Sequence, residues 1–313
     1  MANSSEILER ILLKPPPSEE PIVYQFLVPN QKGMDNLLSI YAKQPSPSPP
    51  SKAPPTSSPS TGFDRIATLN ISSQDPNEMP TSANSHDSTL TPGTAYEQAR
   101  PEIEVSIFTA ATETFTQKNT NCSITESLER FRPVFQKSKE NNLKVRAYIS
   151  VALGCPYEGP DVDPKKVAEL AVNLLEMGSD EISIADTTGM GTAPRTRELL
   201  RTLAAAGIES KDLALHFHDT FGQALVNTVV GLEAGVRTFD AAVAGLGGCP
   251  YSPGATGNVA SEDLVYLFEN LGLSTGVDLV KLAEIGEWIA KEVGKPNESH
   301  AGKATLARLR RDR

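Results

Sequence analysis

The chain has 313 residues, a formal net charge of -10, and 39% hydrophobic and 22% charged residues. That acidity argues against a dedicated nucleic-acid binder, which carries a basic patch or stripe, and no run approaches the roughly 20 apolar residues that cross a bilayer. Three cysteines, Cys122, Cys155 and Cys249, cannot all pair, which excludes a disulfide scaffold and favours a reducing compartment.

Residues 1–20 read as an N-terminal tail. They lack the continuous apolar core of a secretory signal, and Glu6, Glu9, Glu19 and Glu20 are foreign to acid-poor mitochondrial presequences. The expectation is a cytoplasmic protein, with a mitochondrial alternative left open. In residues 21–43, Ile22–Val28 reads as a short buried strand ended by Pro29 and Asn30. Gln31–Tyr41 follows as a short helix with Met34, Leu37, Leu38 and Tyr41 at helical spacing. Of the 24 prolines, 16 lie at or before Pro101, and residues 44–61 are almost entirely Pro, Ser, Thr and Ala. Such a segment buries too little apolar side chain to offset its ordering entropy, so residues 44–98 are expected to be a disordered insert.

Residues 99–295 alternate strand and helix. Strands are expected at Ile103–Phe108, Lys144–Ala152, Glu181–Ala185, Leu213–Phe217 and Thr238–Val243. Ser123 with Glu126 forms a capping box that opens a helix through about Lys139. Asp163 caps and Pro164 starts a helix that stops at Gly178. Further helices run from about Pro194 to Gly207, from about Gln223 to Gly235, over Ser261–Leu271 and over Asp278–Val293. Residues 296–313 read as a tail whose Arg308, Arg310, Arg311 and Arg313 form a solvated end.

One helix between successive strands is the pattern of a parallel α/β sheet with both faces covered. A doubly wound sheet and a TIM (β/α)8 barrel both satisfy it. Asp186, His216, His218 and Asn258 all fall at or just beyond strand ends, where barrels carry their chemistry, and this favours a barrel-like ring. Six strands are countable where a barrel needs eight, so the barrel is expected to be incomplete.

Four motifs carry chemistry. In Leu215–Thr220, His216 and His218 stand two apart at a strand end and so share a face. They read either as half of a divalent-metal site, with Asp219 orienting an imidazole, or as two hydrogen-bonded surface histidines. The loop Gly245-Leu246-Gly247-Gly248-Cys249-Pro250-Tyr251 places Cys249 at a mobile tip, as a proton donor or as an inert turn residue. Asn258 offers an oxygen to a hard cation, or caps a turn. At another strand end, Asp186 and Thr187 could bind a metal-held water or a substrate hydroxyl, or form a capping turn. Lys118 and Asn119 precede a helix N-terminus that suits phosphate, in what otherwise reads as a polar loop.

Together the segments Lys118–Ile124, Ala152–Gly159, Ala185–Thr192, His216–Asn227 and Gly245–Tyr251 resemble 3-hydroxy-3-methylglutaryl-CoA lyase. The resemblance runs through residues 102–294 and again over 21–33. It implies a metal-dependent TIM-barrel lyase that cleaves 3-hydroxy-3-methylglutaryl-CoA to acetoacetate and acetyl-CoA, in leucine catabolism and ketone-body metabolism. It puts His216, His218 and Asn258 on a divalent cation, Mg²⁺ or Mn²⁺, and makes Cys249 the catalytic loop cysteine. It places Asp186 and Thr187 at the substrate, and Lys118 and Asn119 near the CoA end of the thioester.

The family pattern also includes a strand with an R-D-G-x-Q motif, which this sequence lacks; Asp64-Arg65 has the reverse order and Arg311-Asp312 lies in the tail. The first two βα units, roughly 60 residues, are therefore expected to be absent, as in an N-terminally truncated member. Two alternatives stay open: a catalytically inactive paralogue or defective gene model, and an acyl-CoA condensing enzyme of the same superfamily. A barrel short of two strands exposes two sheet edges, so pairing of two copies into a homodimer is one expected outcome beside aggregation.

Overall fold

A computed structural model describes residues 4–18, 22–43, 72–73, 101–248 and 257–311. The proposed disordered insert therefore lies outside the described residues except for 72–73, and so does Cys249.

Six strands form one parallel sheet: β1 (Val23–Leu27), β3 (Glu102–Ala110), β4 (Lys144–Ser150), β5 (Glu181–Asp186), β6 (Leu213–Phe217) and β7 (Thr238–Asp240), hydrogen-bonded in that order. Consecutive strands lie side by side, as in a barrel wall, and among the described residues β1 and β7 are its two edges. This is an incomplete TIM-type barrel. A separate two-residue antiparallel pair joins β2 (Ser72–Ser73) to β8 (Leu273–Ser274).

The strands alternate with period two, and each alternation sorts one face from the other. Ile103, Val105 and Ile107 of β3, Val145, Ala147 and Ile149 of β4, and Ile182 and Ile184 of β5 are buried in the apolar core. Many of the intervening positions are polar: Glu104, Arg146, Tyr148, Glu181, Ser183 and His216. Parallel register keeps these on one common face, with Arg146 opposite Glu181, Tyr148 opposite Ser183, and His216 opposite Asp240. Helices cover the apolar face: α2 (Gln31–Tyr41), α4 (Ile124–Glu140), α5 (Pro164–Glu176), α6 (Ala193–Ala205) and α7 (Ala224–Glu233). Their starts are fixed as the sequence indicates. Ser123 Oγ accepts from the Glu126 N–H at 3.0 Å, and Asp163 Oδ1 accepts from the Lys165 N–H at 2.9 Å.

Three segments read as irregular are helical. Residues Ser4–Leu13, in the presumed N-terminal tail, form α1 and bury Leu8 and Leu12 against the core. The presumed polar loop holds α3 (Glu113–Thr120), which buries Phe115 and Thr116 and stops at Asn121, whose φ of 52° breaks the helix. Its single apolar anchor gives no periodic signal to read. The presumed C-terminal tail holds α10 (His300–Arg311), packed on α9 (Leu279–Glu292) and α8 (Ser261–Asn270). Buried Asp263 of α8 fastens its start, accepting from Ser299 Oγ at 2.7 Å and the Ala301 N–H at 2.6 Å.

The last strand is shorter than expected. It ends at Asp240, because Val243–Gly245 turns into a 3-10 segment with Ala244 at a φ of 58°. The buried carboxylate of Glu262 holds that turn, accepting from the Ala244 N–H at 2.9 and 3.1 Å.

Candidate active site

The polar strand ends converge at the C-terminal rim of β5, β6 and β7. His216 lies on β6 and His218 just past it; their ring centroids are 5.4 Å apart. His218 bridges to Asn258 as a backbone partner, which brings a residue 40 positions later beside the histidines. Asn258 is oriented by its Nδ2, which donates to the Leu246 carbonyl at 2.9 Å. Gly247 permits this contact: a Cβ there would stand 2.7 Å from Asn258 Nδ2, and its φ of 102° suits glycine.

Asn258 Oδ1 and His218 Nδ1 are buried without a hydrogen bond among the described residues. Buried polar atoms are normally satisfied, so two unsatisfied ones beside the His216 ring mark a place for a ligand. The donor types, two imidazoles and an amide oxygen, suit a divalent cation. Burial, then the neighbouring His216, pushes His218 down to about 4, so its imidazole is neutral near pH 7, the form that ligates metals. None of the three donors is a carboxylate. Among the described residues no group of three or more His, Cys, Asp and Glu side chains forms a metal cluster.

Asp186 ends β5 and is fully buried. Its Oδ2 accepts from the Gly191 N–H at 2.9 Å, and Gly191 must be glycine because a Cβ would come within 2.6 Å of that oxygen. Burial pushes the Asp186 carboxyl up to about 6, against the opposing bonds from Gly191 and Gly189. The His218 N–H donates to the Asp186 carbonyl at 3.3 Å, so the acid and the histidine pair share one rim. Thr187 next to it is nearly buried, and its Oγ1 accepts from the Val151 N–H at 2.9 Å.

Lys118 and Asn119 lie in the last turn of α3, with Lys118 exposed and Asn119 partly buried. They are thus on a helix rather than in the loop expected, six and five residues before the start of α4. Cys249 follows Gly248, the last described residue of the glycine loop.

One role moves to another residue. Asp219, expected to orient an imidazole, caps α7 instead, its Oδ1 accepting from the Ala224 N–H at 2.9 Å. The carboxylate beside His216 is Asp240, whose Oδ2 lies 3.4 Å from His216 Nδ1. Asp240 belongs to a buried group on the polar face. The Arg146 guanidinium reaches Glu181 at 2.6 Å, Asp240 at 3.0 Å and Glu104 at 3.2 Å. Burial works to raise the Asp240 carboxyl, but the His216 contact and the Arg146 charge outweigh it and hold it below its ordinary value. The sequence offers a signal for Arg146, which breaks an apolar run, but none for Asp240, which closes its strand only because the strand stops short of Val243.

The HMGL-like family model matches residues 64–289, most of the chain. The chain is 52% identical over 205 residues to the 3-hydroxy-3-isohexenylglutaryl-CoA/hydroxy-methylglutaryl-CoA lyase of Pseudomonas aeruginosa, covering 66% of this chain and 68% of that protein. It is 52% identical over 202 residues to the mitochondrial hydroxymethylglutaryl-CoA lyase of Rattus norvegicus, covering 64% of this chain and 62% of the relative. It thus spans roughly two thirds of the length of these relatives. Relatives named as cytoplasmic occur beside mitochondrial ones. Among solved structures, the hydroxymethylglutaryl-CoA lyase of Pseudomonas aeruginosa aligns with a TM-score of 0.73 and 38% identity, over 98% of this chain and 80% of the other. No helix among the described residues is long and apolar enough to cross a membrane. With the barrel wall, the histidine pair and the length of the match in agreement, the chain belongs to the HMGL-like family.

Proposed function

We propose that the chain is a divalent-metal-dependent carbon–carbon lyase that cleaves 3-hydroxy-3-methylglutaryl-CoA to acetoacetate and acetyl-CoA. The observation that carries this reading is the convergence of His216, His218 and Asn258, with buried unsatisfied donor atoms, on the rim that also holds Asp186. These three residues would hold the cation, proposed as Mg²⁺ or Mn²⁺. When bound, a divalent cation polarises the oxygens of a hydroxy-carboxylate and acidifies the hydroxyl.

Asp186, with its carboxyl pushed up to about 6, is suited to accept the proton of the 3-hydroxyl. As that proton leaves, the hydroxyl oxygen becomes the ketone of acetoacetate. The bond between C3 and the thioester methylene breaks, and its electron pair passes to the acetyl-CoA enolate. Cys249, in the glycine loop, is assigned as the donor that protonates the enolate carbon. Lys118 and Asn119 are assigned to the CoA end, with the Lys118 charge facing phosphate. Cytosolic residence belongs to the same proposal and rests on the odd cysteine number and on buried, unpaired Cys122 and Cys155.

A second reading, substrate binding without turnover, is favoured by the donor count: hard cations prefer anionic oxygen, and none of the described ligands is a carboxylate. One assay separates the two. Acetyl-CoA release is followed with Mg²⁺ or Mn²⁺ for the parent chain, Cys249→Ala and His216→Ala. Turnover that either substitution abolishes supports the lyase. Thioester binding with no acetyl-CoA release supports the second reading.

A further inference from the structure

The contact between Asp240 and His216 reaches beyond packing. The two residues are register partners on adjacent strands, which brings their side chains to the same face. Asp240 is held from two sides. Its Oδ1 receives Arg146 Nη1 at 3.0 Å, and its Oδ2 receives Ser183 Oγ at 2.9 Å. Arg146 is fixed in turn between Glu104 and Glu181. The result is a carboxylate whose two oxygens do different things. One closes an ion pair with the guanidinium, and the other is aimed, with the help of Ser183, at His216 Nδ1.

We infer that Asp240 is a positioning residue that fixes the tautomer and ring orientation of His216. A carboxylate oxygen facing Nδ1 favours the tautomer protonated there and leaves the lone pair on Nε2. An ion pair with Arg146 alone would need only one Asp240 oxygen and would leave the His216 ring free to choose. The part of this inference that concerns a cation rests on the metal reading above. Carboxylates and carbonyls in this relation to ligating histidines raise the basicity of the ligand, and their loss costs about 10–100-fold in metal affinity. Among the described residues no carboxylate pairs with His218, whose Nδ1 is buried without a partner. The pair is therefore asymmetric, with His216 the preorganised member.

The test uses the full chain with ¹⁵N-labelled histidine. Long-range ¹H–¹⁵N correlation on the metal-free protein reads the His216 tautomer, and titration with Mn²⁺ followed by the electron paramagnetic resonance of the free ion reads affinity. The parent should be predominantly Nδ1-protonated. Asp240→Asn should shift His216 toward the other tautomer and weaken Mn²⁺ binding about 10–100-fold. Ser183→Ala keeps the charge but frees Oδ2, and should move both readouts the same way by less. If Asp240→Asn does not fold, Ser183→Ala decides. A lowered melting temperature with tautomer and Mn²⁺ affinity unchanged in the folded variants would assign Asp240 a purely structural role and overturn the inference. A tautomer shift in Asp240→Asn, with a parent chain that binds no Mn²⁺, would uphold the positioning of His216 and remove the metal reading instead.

Discussion

The hydroxyl of Thr187 accepts a hydrogen bond from the backbone N–H of Val151, a fully buried residue held at a φ of 53°. A β-branched residue with positive φ is a conformational outlier that costs about 1–3 kcal/mol and persists only where its surroundings enforce it. The strain sits just past β4, and Thr187 follows Asp186 at the end of β5, so the bond ties two strand ends of the active rim. Thr187→Val removes the acceptor and leaves a buried N–H unpaired, for an expected loss of about 1–3 kcal/mol in urea unfolding. Thr187→Ser keeps the oxygen and should stay near the parent. Equal midpoints for Thr187→Val and the parent would show that the bond does not hold the turn.

The Asp186 carboxyl gives a pH dependence of defined sign. Its folded value, about 6, lies above the ordinary 3.8 because burial disfavours the anion. A raised acid contributes stability that is fully present below about pH 4 and is lost as pH rises through about 6. Asp186→Asn removes this dependence. Relative to the parent, the variant should therefore gain stability between about pH 4 and pH 7, by at most roughly 3 kcal/mol, while losing activity. Urea midpoints at several pH values test this. A stability difference that does not change with pH would contradict it.

Cation affinity should depend on all three donors at the rim. His218→Ala and Asn258→Ala should each weaken Mn²⁺ binding by at least about tenfold, the scale on which even supporting groups act. Lys118→Ala should leave Mn²⁺ affinity unchanged and weaken CoA-thioester binding. Isothermal titration separates these outcomes, and undiminished Mn²⁺ affinity in His218→Ala would place the cation elsewhere.

Gly286 of α9 faces the buried carboxylate of Glu262, and a Cβ there would overlap Glu262 Oε1. Since that carboxylate holds the Ala244 turn, Gly286→Ala should both overpack the site, at about 1–3 kcal/mol, and loosen the start of the glycine loop. Thermal unfolding should fall, and cleavage by protease near residue 244 should quicken. Parent-like behaviour in both measurements would mean that α9 yields without disturbing Glu262.

The periodic elements were legible in the sequence because their causes are local. Gln31–Tyr41 and Leu213–Phe217 coincide with the segments read from the sequence, and Ser123 and Asp163 cap where their side chains can reach. The histidine pair was legible for the same reason: a spacing of two in a strand fixes a common face. Helices α1, α3 and α10 were not, since short segments with few apolar anchors form mainly through what they dock against. The partner of His216 was decided by tertiary structure alone. Nothing within β6 distinguishes Asp219, one residue beyond His218, from Asp240, on the next strand. Strand register brings Asp240 to His216 while the start of α7 takes Asp219 as its cap. Likewise the sequence supplies an Asn at position 258, but only the bridge to His218 makes it part of the site. Composition and spacing determine which surfaces a segment must bury and which side chains share a face; pairing across strands, set by the sheet, determines which charges meet.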